Sequence, residues 1–476
     1  MINRRSIILL FIFAVVLPFS LLVSCKTGSM NGMLIITRAS GKVQHMNLLT
    51  GDAWRFLPTA QIAAMNPDKP GSLKVLTGEF NAACFPEISY DGKHMLFAAQ
   101  KKEGGLWQIW EMDLGSLKSR QVVSLSENCV DPAYLPGGRA VFTRCTGNDT
   151  VKTAHCLYTC NLDGSDVRQI TFLPGASFAT SVLKDGRLLT ISRQLFPGQG
   201  DPMLTVLRPD GTKADMFYPG CGGSTFTNRP RETSDGRIVF AESDTSRDLA
   251  GDVISISYNR PLHTRVNLTE GIDGSFFSVL PLQPGRFLVT LRKPDAEHYA
   301  LYEFDPVNKI LGAALCSDPG YDIIDVVAAG KYDRPKKLPS EVDLQVKTGL
   351  LLCQDINFTG FQSTVNNHTT RKASMIEVLG TDSAYGIVPV EEDGSFYLKV
   401  IADTPFKIRT LDEDGHVIDG PCTWLWLRPN ERRGCVGCHE DPELVPVNRI
   451  PLAVKTNPAI IPVHITKVKE KVVELE

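Results

Sequence analysis

Near the C-terminal end of the 476-residue chain, Cys435-Val-Gly-Cys438-His439 sets two thiols three positions apart with an imidazole directly after them. That order is the attachment pattern of a c-type haem: the thiols add to the two vinyl groups, and the next residue can give the iron an axial nitrogen. Zinc would need a second Cys or His pair at short spacing, and none lies nearby. A redox dithiol would sit in a thioredoxin-like βαβ setting, whereas the segments before this motif read as strands. The spacing predicts one covalent haem c per chain, held by Cys435, Cys438 and His439. For the second axial position the candidates in this half are His368, His416, His464 and Met375, with His368, in the polar run Asn366-Asn-His-Thr-Thr370, favoured. An open sixth position permits small-molecule chemistry, and a filled one favours electron transfer.

Haem attachment of this type needs an exported chain, and the N-terminus supplies the signal. Arg4 and Arg5 precede an apolar stretch over residues 7–23 that ends in Leu22-Val23-Ser24-Cys25. Positive, apolar and small residues in that order form an export signal. A membrane-spanning helix would need roughly 20 uninterrupted apolar residues, and Pro18 interrupts this shorter run. The ending resembles the bacterial lipobox, so residues 1–24 are expected to be removed and Cys25 to become the lipidated first residue. Several acyl chains on it would anchor the chain to a membrane. The expected location is the periplasm or cell envelope, as a membrane-anchored lipoprotein. Twelve cysteines suit an oxidising compartment, and a disulfide between Cys145 and Cys156 across a hairpin is the expected pairing. A net charge of -3 without a basic run gives no reason to expect nucleic acid.

The elements that must carry this chemistry fall into two sets. From Phe85 to about Arg292 the chain repeats an entry strand, a tight turn with Gly, a second apolar strand, and further strands. The turn glycines Gly92, Gly138, Gly186, Gly236 and Gly285 recur every 46 to 50 residues. A near-constant period of that size marks one supersecondary unit per repeat, and four short strands per unit is the content of a propeller blade. Asp-Gly between apolar runs is a hairpin signal, because Gly takes positive φ without steric cost. Residues 33–37 and 43–47 read as later strands of a blade lacking its first, and residues 322–328 as a lone strand after the last repeat. Pairing them closes the ring and removes both sheet edges. Five contiguous blades and a sixth shared by the two ends are therefore expected, over residues 25–335. The turn pattern resembles TolB-like and WD40-like propellers.

Residues 336–344, with Lys336, Lys337 and flanking prolines, read as a linker. Strand-like segments at residues 349–353, 373–379, 386–390, 395–400 and 405–411 follow, separated late on by Asp-Gly turns. They predict an antiparallel β-sandwich of immunoglobulin or transthyretin type over residues 345–476, with the haem motif just beyond its strands. The fold class is thus all-β: a six-bladed β-propeller followed by a β-sandwich-like domain.

Residues 389–398, 410–415, 428–440 and 448–452 together resemble the haem-bearing middle domain of the hydrazine synthase alpha subunit family. The resemblance implies a six-bladed propeller before that domain and haem attachment at Cys435, Cys438 and His439. Two departures limit it: the chain has a single Cys-x-x-Cys-His, and Glu443 stands where the namesake places a Tyr ligand. Hydrazine synthesis itself is therefore not expected. The leading expectation is a lipid-anchored monohaem cytochrome that relays electrons to a redox partner protein, with the propeller as docking or scaffolding surface. The alternative is a haem-dependent oxidoreductase acting on a small, nitrogenous substrate between the domains. A third reading is a haem-free binding lipoprotein in which Cys435 and Cys438 form a disulfide.

Overall fold

The computed structural model describes residues 30–41, 56–147, 151, 154–244, 251–358, 372–421, 423–437 and 448–462. The proposed lipidation site Cys25 lies outside them. Every turn glycine of the repeat has positive φ, from 71° at Gly92 to 90° at Gly186, as the Asp-Gly signal requires.

Six four-stranded units form the first part of the chain. Blade 2 comprises Ala82–Ile88, His94–Gln100, Trp107–Asp113 and Ser119–Gln121. Blade 3 comprises Cys129–Leu135, Arg139–Cys145, His155–Asn161 and Arg168–Gln169. Blade 4 comprises Gly175–Val182, Leu188–Gln194, Met203–Leu207 and Asp215–Tyr218. In blade 5 the inner strand is split into Ser224–Phe226 and Arg231–Glu232, both paired to Arg237–Asp244. Blade 6 runs from Ser275–Gln283 to Ile310–Cys316.

Blade 1 is the shared one. Tyr321–Ala328 pairs antiparallel with Leu34–Ser40, which pairs with Ala60–Met65 and then Leu73–Val75. The ring is therefore closed by strands from opposite ends of the propeller sequence, and Leu34–Ser40 has a partner on both sides. The third strand of this blade is Ala60–Met65; the expected strand at 43–47 lies outside the described residues. Ile35 and Ile36 of Leu34–Ser40, the partner of the closing strand Tyr321–Ala328, are fully buried, so apolar burial as well as the ladder holds the closure. Across the axis, the buried Arg229 and the half-buried Arg231 of blade 5 both pair with Glu87 of blade 2, and Asn228 donates to Asp325 of the closing strand at 3.1 Å.

The expected Cys145–Cys156 disulfide is not formed. Cys145 is paired with His155 and Cys156 with Arg144, so the two thiols project to opposite faces of the blade.

The segment after the closing strand is a fastened strap rather than a free linker. It crosses the hairpin turns of blades 2, 3 and 4. Tyr332 N–H donates to Tyr90 O at 3.2 Å, Lys336 N–H to Lys184 O at 3.0 Å, and Glu341 N–H to the Asp210 carboxylate at 2.8 Å. The turn glycines permit this approach: a Cβ at Gly92 would lie 2.6 Å from Gly330 C, and one at Gly186 would lie 2.1 Å from Lys336 O.

Two four-stranded sheets make the second domain. One has the order Ala384–Pro389, Met375–Leu379, Lys407–Leu411, Val417–Asp419 and is antiparallel. The other is mixed, against the all-antiparallel expectation. Thr348–Cys353 pairs antiparallel with Phe396–Ile401, but both edges are filled by parallel strands, Arg432–Cys435 and Ala459–Ile461. The start of the Cys-x-x-Cys-His motif is thus itself an edge strand of the sandwich. Ile376, Leu398 and Leu427 lie fully buried between the sheets.

Candidate functional site at the domain junction

The strand Arg432–Cys435 gives Cys435 a fixed position. Its ladder with Thr348–Cys353 continues past the strand end: Gln354 N–H donates to Cys435 O at 2.9 Å and Asp355 N–H to Val436 O at 3.1 Å. The half-buried Cys435 packs against the sandwich core. Gly437 is needed where it stands, since a Cβ there would lie 2.1 Å from Phe358 O. Cys438 and His439 lie outside the described residues, as do His368 and His464. Of the other axial candidates, Met375 begins a strand of the opposite sheet, and His416 sits in an exposed turn with Nδ1 3.5 Å from Asp412.

The residues just upstream of Cys435 bind the propeller, a role the sequence reading did not assign. Glu431 is fully buried and acts as the hub. Its Oε1 accepts from Lys213 N–H of blade 4 at 2.8 Å and from the Arg433 guanidinium at 2.8 and 3.0 Å, while Oε2 accepts from Arg428 N–H at 2.8 Å. Arg433 also donates to Ala214 O at 3.1 Å, and Arg428 to Asp210 O at 3.0 Å. Lys213 Nζ reaches Arg432 O. Trp426 enters a cluster with Leu135, Leu157, Leu188 and Leu207 of the propeller, so the two domains share apolar core.

Beside this junction lies a cavity of 120 Å³ between blade 4 and residues 423–426. Its walls include Arg193, Met203, Asp215, Met216, Trp424 and Trp426. Trp424 Nε1 donates to Phe196 O at 2.7 Å, and Lys407 stands 4.8 Å from the Trp424 ring centre. The buried Trp426 Nε1 has no partner among the described residues. Solvent reaches Asp215, yet surrounding protein raises its carboxyl above the usual value, against the opposing pull of Arg433 and a hydrogen bond from Met216 N–H. Burial lowers the Arg193 guanidinium. Larger hollows of 270 and 410 Å³ open under the strap, but blade turns and strap residues chiefly line them.

A closed six-bladed propeller joined to a β-sandwich, with a Cys-x-x-Cys-His sequence beginning on the sandwich edge, defines a class of two-domain protein built around one motif. Comparison with known proteins sharpens this. Residues 354–440 match the family described as the hydrazine synthase alpha subunit middle domain. The curated hydrazine synthase subunit alpha of Kuenenia stuttgartiensis is 23% identical over 494 aligned positions, covering 77% of this chain and 61% of the relative. The solved hydrazine synthase of the same organism aligns with a TM-score of 0.76 at 19% identity, over 89% of this chain and 71% of that one. Residues 354–440 thus carry the family's middle-domain pattern, and the chain as a whole is similar to the hydrazine synthase alpha subunit.

This corrects the leading expectation from the sequence. The curated relative is a subunit of a synthase, and that likeness points away from an electron-relaying cytochrome whose propeller merely docks or scaffolds. The oxidoreductase alternative accommodates the likeness.

Proposed function

We propose that the chain is a haem-dependent oxidoreductase, or the haem-bearing subunit of one, acting on a small, nitrogenous molecule in the cleft between propeller and sandwich. The observation that carries this reading is the junction itself: Glu431 and Arg433 fasten the strand ending in Cys435 to blade 4, directly beside a small cavity. Ligand sites favour such domain interfaces. The likeness to a synthase subunit supports the nitrogenous class.

The residues present suit a covalent haem. Cys435 is fixed on an edge strand of the sheet, with apolar core on one side and Phe358 close to Gly437. Cys435 and Cys438 would hold the porphyrin through two thioethers and His439 would face the iron. A bound haem with an open position would supply one-electron chemistry on a small ligand. The chain's own groups then have defined tasks. Trp426 can donate to an acceptor atom entering the cavity, Trp424 supplies an apolar wall, and Asp215, its carboxyl raised by the surrounding protein, can hold or release a proton. Export to the cell envelope through residues 1–24, with Cys25 as membrane anchor, belongs to the same proposal, since haem attachment of this kind follows export.

The test is turnover. Matured chain, alone and with its partner subunits from the native host, is offered hydroxylamine, nitrite or nitric oxide with an electron donor or acceptor. Haem-dependent consumption that falls at least tenfold in Trp426→Phe or Asp215→Asn supports the proposal. Consumption by none of these preparations contradicts it.

A further inference from the structure

We propose that Cys353 is a covalent partner of Cys435: before haem is attached, the two thiols close a disulfide between neighbouring strands, which a dithiol reductant must open. The inference rests on the reading of Cys435 as a haem-attachment thiol.

Cys353 and Cys435 are Cα partners in the parallel pairing of Thr348–Cys353 with Arg432–Cys435. Neighbouring strands lie about 4.8 Å apart and register partners project to one face, within the roughly 4.4–6.8 Å Cα span that disulfides bridge. Both side chains meet the same apolar cluster; Cys353 is 1% exposed within it and Cys435 packs on its margin. The ladder bonds on from Gln354 and Asp355 hold the register, so the approach is built into the sheet. Parallel pairing leaves the Cβ atoms at about the strand spacing, wider than the roughly 3.8 Å a relaxed disulfide prefers. Such a bond is strained and readily reduced, the property of labile disulfides rather than permanent ones.

The chemistry balances through ordinary exchange. Closing the bond removes two protons and two electrons from the thiols, which pass to an oxidised dithiol carrier of the export compartment. Opening begins when a carrier thiolate attacks the more accessible Cys435 sulfur and the Cys353 thiolate leaves. The carrier's second thiol then resolves the mixed disulfide, freeing Cys435 and leaving the carrier oxidised. Cys435 can then add its sulfur and hydrogen across a vinyl double bond. Until that moment the disulfide shields the attachment thiol from further oxidation.

The test is a peptide map of the full-length chain, exported in a host without cytochrome maturation, trapped with an alkylating agent and digested without reductant. The expected result is a Cys353 peptide joined to the Cys435 peptide, lost in Cys353→Ser and cleaved by millimolar glutathione before any other disulfide. Cys435 joined to Cys438, or Cys353 recovered alkylated in the haem-free chain, overturns the proposal; the map is made on the unaltered chain, so it stands even where Cys353→Ser does not fold. A Cys353–Cys435 link in a chain that never takes up haem supports the disulfide and ends the haem reading. Haem uptake by a chain whose precursor carries no such link does the reverse.

Discussion

The fully buried carboxylate of Glu431 accepts the backbone N–H of Lys213 at 2.8 Å, tying a residue four positions before Cys435 to blade 4 of the propeller. The same carboxylate neutralises Arg433, so removing it leaves a guanidinium with little exposure beside unpaired backbone N–H groups. Glu431→Ala is expected to destabilise the junction by about 3–5 kcal/mol, and Glu431→Gln, which keeps the acceptor oxygen, by roughly half as much. Denaturant titration followed by tryptophan fluorescence measures this, because Trp424 and Trp426 report on the interface. Equal stability of Glu431→Ala and the unaltered chain contradicts the hub role.

Asp210 fastens the strap. Burial pushes its carboxyl up, but hydrogen bonds from Thr212 and from Ser340 and Glu341 of the strap outweigh that and hold it below the usual value. A depressed folded pKa gives stability that is present above the unfolded value, near pH 4, and is lost as pH falls through the folded one. Asp210→Asn is therefore expected to cost about 1–3 kcal/mol at pH 7 and progressively less below about pH 4. Urea denaturation of both proteins across that range checks the sign; a cost that grows on acidification contradicts it.

The strap also depends on turn glycines. Gly186→Ala introduces a Cβ against Lys336 O at positive φ, whereas Gly285→Ala has positive φ but nothing within 4 Å. The second change should cost about 1–2 kcal/mol, the backbone penalty alone, and the first distinctly more. Limited proteolysis should cut residues 331–343 faster in Gly186→Ala only.

Ring closure rests on Leu34–Ser40 meeting Tyr321–Ala328, where Ile36 faces Val326. Ile36→Ala removes a fully buried side chain and should lower stability by about 2–5 kcal/mol. If the ring closed elsewhere, the change would be nearly silent in thermal unfolding.

Much of this architecture could be read from residue order because its signals are local. Asp-Gly and Gly-Gly turns between apolar runs announce hairpins, and their even recurrence announces blades; the missing first strand of blade 1 pointed to the strand after blade 6. What could not be read was set by contacts distant in sequence. Nothing local in the sequence marks Arg428, Glu431 and Arg433 as contacts, and only the fold brings Lys213 and Ala214 to them. Arg432–Cys435 is too short and polar to read as a strand, yet Thr348–Cys353 offers it a sheet edge. The strap is coil by pattern, and its order comes from blade turns that precede it by some 130 to 240 residues. Cys353 appeared as one apolar residue among leucines until the register set it against Cys435.

The account turns on haem carried by Cys435 and Cys438 with a place at the iron that a small molecule can take. The absorption spectrum of the matured, reduced chain before and after carbon monoxide tests this most directly. The account predicts an intense Soret band that shifts on adding the gas, together with a chain mass raised by one haem. A colourless chain, or a low-spin spectrum that carbon monoxide leaves unchanged, contradicts it.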